Sequence, residues 1–178
     1  NGGFGMVDDM NDSILAAIGS ILAPLFKPLG WGNWKAAVAA ITGLIAKENV
    51  VGTFGILYGF GEVAEDGVEI WGTLAASMTA LAAYSFLIFN LLCAPCFAAM
   101  GAIKREMNNA KWFWFAIGYQ TVLAYCVSLC VYQIGMLFTA GTFGVGTVVA
   151  ILLVIGFGYL LFRPYKESTS LKIDSKKL

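Results

Sequence analysis

The chain has 178 residues, of which 59% are hydrophobic and only 12% charged, and its mean hydropathy is +0.77. Soluble domains carry about 25% charged residues, so the composition excludes an ordinary soluble domain and points to an integral protein of the lipid bilayer. The formal net charge is zero and there is no His. That leaves no global field for nucleic acid, and it removes the commonest metal ligand and the usual proton shuttle.

Residues 1–12 are rich in Gly and Asp and read as a loop. The chain opens without Met, signal peptide or basic leader, which reads as a fragment of a longer protein. Asp12 or Ser13 can cap the helix that follows. Residues 14–26 are apolar but short for a span, and Pro24 interrupts them; they suit an interfacial or partly inserted helix. KPLGWGNW, residues 27–34, is an interfacial turn in which Trp31 and Trp34 suit the headgroup level. Residues 35–61 form an apolar segment that carries Lys47, Glu48 and Asn49 near its middle. Residues 62–69 form an acidic loop, which reads first as a solvated connection and second as a means of gathering cations at an outer vestibule.

Residues 70–103 and 112–162 contain no charge at all. A span needs about 20 apolar residues, so 71–92 is a span that continues past Pro95 to 103. Residues 112–138 and 147–162 form a terminal hairpin around the Gly-rich turn 139–146. Residues 104–111 are a basic loop, and 163–178 a basic tail. The predicted fold is all-α and polytopic, with about four transmembrane helices and a broken or re-entrant helix at 35–61.

Lys104, Arg105 and Lys111 flank one end of the hairpin; Arg163, Lys166, Lys172, Lys176 and Lys177 flank the other. The positive-inside rule places both clusters, and hence the C-terminus, in the cytoplasm. The acidic loop is then outside, and Lys27 with Lys35 suggests that segment 35–61 starts inside.

Three sets of residues bear on chemistry. A charge at mid-membrane costs at least about 2.5–3.5 kcal/mol and marks a protein interior or a water-filled path. Lys47 and Glu48 are therefore functional candidates; adjacent helical residues diverge by about 100°, so each is expected to serve a different partner. Gly43, Gly52, Gly55 and Gly59 permit close helix contact or an unwound stretch, as at transporter binding sites.

Pro95 cannot donate to the Leu91 carbonyl and leaves it free in the membrane. Cys93 and Cys96 share a helix face beside it and make a soft or borderline metal site possible, although each also suits a small core position. Cys126 and Cys130 read as core packing. Asn90, Gln120 and Gln133 either bridge helices or line a path. TAGTFGVG lacks the Lys-Ser/Thr of a phosphate loop. No catalytic constellation is present, so an enzyme is not expected.

GLIAKENVVGTFGILYG, followed by LLCAPCFAAMGAIKREM, resembles the C-terminal half of the ferrous iron transport protein B (FeoB) family. PLFKPLGWGNWKAAVAAITG and WFWFAIGYQTVLAYCVSLCVYQIG fit the same family, so the resemblance covers about residues 10–165. It implies a gate-type module at 13–110 joined to the terminal hairpin 111–162. It also implies Fe(II) uptake across a bacterial inner membrane, with Fe(II) as the transported ion and no stably bound cofactor. Glu48, Cys93 and Cys96 would then meet the ion, with Lys47, Asn49 and Pro95 as gate or structural residues. The implied partners are an upstream GTP-binding domain and first gate module of the same protein, small accessory proteins and further copies in an oligomer. Gate modules also occur in nucleoside transporters, which leaves an organic-solute or structural role as the rival.

Overall fold

In the computed structural model residues 13–60 and 68–164 are described. The loop 1–12 with Asp12, most of the acidic loop and the tail lysines 166–177 lie outside the described residues. Eight α-helices account for most of what is described, with no strand among the described residues.

Helix α1 spans Ile14–Phe26 and is capped by Ser13, whose Oγ accepts from the Ala16 N–H at 3.1 Å. A 3-10 turn at Lys27–Leu29 ends at Gly30, and the chain then dips into the core. Trp31 is 1% exposed and stacks on Phe26 at 4.3 Å between ring centroids. The expectation of an interfacial Trp31 is thus overturned: its ring lies against Phe86 and Phe89, inside the bundle. The aromatic belt lies instead at Trp112, Trp114 and Phe115, all exposed.

Helix α2 spans Trp34–Ile45, capped by Asn33, and bends 96° from α1. The two cross tightly at Gly19, where a Cβ would stand 2.6 Å from the Trp34 carbonyl oxygen. Helix α3 spans Asn49–Leu57. At about 1.5 Å per residue, α2 and α3 measure about 18 and 14 Å, and neither crosses the roughly 30 Å hydrocarbon core alone.

They do not continue one another either. Thr42 and Thr53, on opposite sides of the break, hydrogen-bond through their hydroxyls at 3.1 Å. Lys35, at the start of α2, lies 4.2 Å from the ring centroid of Tyr58, just past the end of α3. Residues 35–60 therefore form an antiparallel hairpin of the re-entrant kind, with its tip at residues 46–48.

Helix α4 (Trp71–Ser77) leads into α5 (Ala80–Leu92), which breaks at 93–96 before α6 (Phe97–Met107). Helix α7 runs Ala110–Ala140 and α8 Val145–Phe162. Among the described residues three stretches are long and apolar enough to cross a membrane, Ala80–Met107, Ala110–Ala140 and Val145–Phe162; α1 and α2 pass the same test only when taken together as a bent pair. Helix α7, at 31 residues, exceeds the core thickness and must tilt or protrude. Helix α8 is apolar all round; Leu152, Ile155, Leu161 and Phe162 are exposed, as a lipid-facing helix requires.

The hairpin base sits at the α5 entrance, where the Tyr58 hydroxyl and Ser77 Oγ are 2.7 Å apart. Lys104 and Arg105 end α6, at the far end of the same span. Lys35 therefore does not share a membrane face with them. The expectation that segment 35–61 starts on the basic side is corrected, because the hairpin enters and leaves by the opposite face.

Polar groups hold the bundle. Ser85 on α5 and Ser128 on α7 are fully buried, their hydroxyls 2.7 Å apart, and the Ser128 hydroxyl also reaches the Ser85 carbonyl at 2.7 Å. The Tyr125 hydroxyl donates to the Leu25 carbonyl at 2.8 Å, and Gln133 Nε2 donates to the Pro28 carbonyl at 2.7 Å. Helix α7 thus satisfies a carbonyl at the end of α1 and another in the 3-10 turn that follows it. Interhelical hydrogen bonds in membranes are worth about 0.6–1.7 kcal/mol. Ser85→Ala is accordingly expected to lower unfolding stability in micelles by about 1 kcal/mol; an unchanged denaturation midpoint would show that the serine pair is incidental.

Candidate ion site where two broken helices meet

The hairpin tip arises because Ala46 is extended (φ −151°, ψ 120°) and ends α2. Lys47 and Glu48 form the turn, and Asn49 opens α3. The second break arises at Pro95. Without an N–H, Pro95 cannot bond to the Leu91 carbonyl, and the residue before a proline avoids the helical region. Helix α5 closes at Cys93, whose N–H reaches the Phe89 carbonyl at 2.8 Å and whose ψ is 172°. Cys96 (ψ 160°) restarts the chain as α6.

The two breaks touch. The Lys47 ammonium donates to the Leu91 carbonyl at 3.3 Å, across 44 residues of sequence. The carbonyl that Pro95 releases thus receives a positive charge from the hairpin tip. Around this point, Cys93 is buried and its thiol is directed to the Asn90 carbonyl at 3.4 Å. Asn90 is buried, and its Nδ2 donates to the Phe86 carbonyl within its own helix at 2.9 Å. Its Oδ1 faces α2 at Gly43, where an added Cβ would come within 3.0 Å of it.

Glu48 and Asn49 are exposed at the tip, while Pro95 and Cys96 are half-buried. Among the described residues no three Cys, Asp or Glu side chains converge to hold a metal, so Glu48, Cys93 and Cys96 are not gathered into one closed cluster. A cavity of about 370 Å³ opens beside Cys93, walled by Leu22, Leu44, Met100 and Thr121.

The remaining candidates separate. Gln133 is a bridge, through its bond to Pro28. Gln120 keeps a buried carbonyl oxygen without a partner. Cys130 is buried, with its thiol 3.6 Å from the Ala150 carbonyl of α8, as core packing predicts. Cys126 faces a groove between α7 and α8, away from Cys93. The sequence reading missed the Thr42–Thr53 pair and the identity of the Lys47 partner. Thr42 and Thr53 each lie five residues from the tip pair Lys47-Glu48, and that symmetry is a signal for the fold-back.

Residues 10–110, which hold the hairpin and the broken span, match the model of the Gate family, described as nucleoside recognition. The chain belongs to this Gate family. It is also similar to proteins named Fe(2+) transporter FeoB. In Methanocaldococcus jannaschii the identity is 43% over 126 residues, covering 71% of this chain and 18% of the relative. In Staphylococcus aureus (strain COL) it is 35% over 137 residues, covering 77% and 20%, and in Shigella flexneri 31% over 206 residues, covering 87% and 26%. The resemblance to the membrane portion of the FeoB family is borne out. The chain spans about a fifth to a quarter of the length of these relatives. No solved structure matches it.

Proposed function

We propose that this chain is the membrane permease portion of a ferrous iron transporter, carrying Fe(II) into the cytoplasm past the junction of the two broken helices. The meeting of the hairpin tip with the carbonyl released by Pro95 supports this reading, as do relatives named for Fe(2+) transport. Half-helix C-termini carry partial negative charge and unpaired carbonyls, which suit a cation at mid-membrane. Fe(II) is borderline in softness, so carbonyl oxygen, carboxylate and sulfur all suit it. Separate weak ligands also serve an ion that must leave again. In this reading Glu48 receives the ion at the hairpin tip, Cys93 and the Leu91 carbonyl hold it at the break, and Cys96 passes it on along α6.

The chain acts within a longer protein that carries a GTP-binding domain and a first gate module, in an inner membrane and with its C-terminus in the cytoplasm. Oligomerisation and small accessory proteins belong to the same reading.

The test is anaerobic radio-iron uptake by the full-length protein in cells lacking other ferrous importers. Glu48→Gln and Cys96→Ser are each expected to lower uptake about tenfold at unchanged membrane protein level. Variants that match the parent would remove these residues from the path. A parent that moves no iron would overturn the iron reading and favour a nucleoside or other organic solute.

A further inference from the structure

We propose that Lys47 is a tethered cation that plugs a divalent-cation site formed by the Leu91 carbonyl and the Cys93 sulfur. The proposal rests on the transport reading above and adds what occupies the site at rest. The Leu91 carbonyl lies at the C-terminal end of α5, where helix carbonyls lack partners and negative potential collects. Pro95 removes the N–H that would otherwise bond it. A carbonyl in that state attracts a cation, and the one beside it is the chain's own ammonium, at 3.3 Å.

A divalent ion on the same carbonyl oxygen would stand within a few ångströms of the ammonium. Like charges at such separations repel strongly in a medium of low effective dielectric. Binding at Leu91 therefore requires Lys47 to withdraw. Only the Lys47 side chain, at the tip, has to move. The hairpin has a turn rather than a helix at its tip, its base is fixed by Tyr58 to Ser77, and Lys47 is its bridge to the Leu91 carbonyl.

Sulfur enters because Cys93 follows the carbonyl by two residues and its thiol is held by neighbouring carbonyl oxygens at 3.4 and 3.7 Å, not by a disulfide. No step beyond loss of the thiol proton to solvent on metal binding is needed. The site so described is one sulfur with backbone carbonyl oxygens. It binds weakly while Lys47 is in place and more tightly once Lys47 is gone.

The experiment titrates the purified full-length protein with Co(II), a divalent probe whose bond to thiolate has its own charge-transfer absorption. Lys47→Met keeps the length of the side chain and removes its charge. It is expected to bind Co(II) about tenfold more tightly than the parent, with a sulfur-to-cobalt band that is absent when Cys93→Ser is added. Lys47→Arg, which retains a donor and a charge, is expected to stay near the parent. Equal Co(II) affinity in the parent and Lys47→Met would overturn the plug. So would a gain in Lys47→Met that survives Cys93→Ser, because the ion would then be bound elsewhere. Radio-iron uptake by the parent judges the iron reading separately: a parent that moves no iron while the Co(II) pattern holds leaves the plug standing and removes only the cargo.

Discussion

Gly30→Ala is expected to cost the protein about 2–5 kcal/mol, a large share of the stability of a typical fold. Two separate penalties add at this position. Gly30 sits at φ 90°, in left-handed backbone that ends the 3-10 turn, with its N–H on the Lys27 carbonyl at 3.1 Å. An L side chain there costs about 1–2 kcal/mol. An added Cβ would also run into the ring of Tyr132 on α7. Forcing an aromatic ring out of a packed site costs about a further 1–3 kcal/mol.

The ring cannot leave without consequence, because the neighbouring contact, Gln133 to the Pro28 carbonyl, ties the same turn to α7. Trp31 follows at once, and its buried ring with Phe26, Phe86 and Phe89 forms the centre of the bundle. The variant should show this as lost folded protein in fluorescence size-exclusion chromatography, and as a lower melting temperature in whatever folds. A Tyr132→Ala change in the same background should return part of the loss by removing the clash but not the left-handed strain. Full stability in Gly30→Ala would mean that the turn has another available conformation and that Trp31 does not depend on it.

Much of the architecture was legible in the sequence because a bilayer constrains chains severely. The uncharged runs 70–103 and 112–162 had to be spans, since charge in lipid is so costly. Pro95 had to leave a carbonyl unbonded, whatever the tertiary structure. Lys47 and Glu48 in an apolar segment had to mark a break or a partner.

The rest depended on contacts between distant residues. Hydropathy reads 35–61 as one passage and cannot distinguish it from two half-passages, because both bury the same apolar residues. Only the pairing of Thr42 with Thr53 and of Lys35 with Tyr58 separates them, and that pairing also moves Lys35 to the opposite membrane face. Trp31 misled for a related reason. Tryptophan between glycines suits an interface, but the Gly30 turn drops this ring inward instead. For the site, the sequence named both Lys47 and the Leu91 carbonyl but had no means of joining them across 44 residues.

On the proposed transport function, Pro95→Ala is expected to lower iron uptake about tenfold, whereas Pro95→Gly should keep most of it. The difference follows from helix propensity at one position. Alanine restores the N–H that can bond to the Leu91 carbonyl and is the best helix former; glycine restores the N–H but disfavours the helix by about 1 kcal/mol. In Pro95→Ala the segment 93–96 is therefore drawn toward a continuous helix from Ala80 to Met107. The Leu91 carbonyl would then be satisfied within its own helix, Lys47 would lose its acceptor, and the cation would lose an oxygen ligand. Rewinding also shortens the chain, since extended residues rise about 3.3 Å and helical ones about 1.5 Å. Helix α6 would have to slide along α7, while the Ser85–Ser128 pair holds α5 in place. Both routes end with the junction of the two broken helices disturbed. The measurement is uptake normalised to membrane protein level for both variants. Amide exchange at residues 93–96 would report whether the helix has closed. If the alanine and glycine variants transport equally, the break at Pro95 is only a bend in a span, and the Leu91 carbonyl is not a ligand on the path.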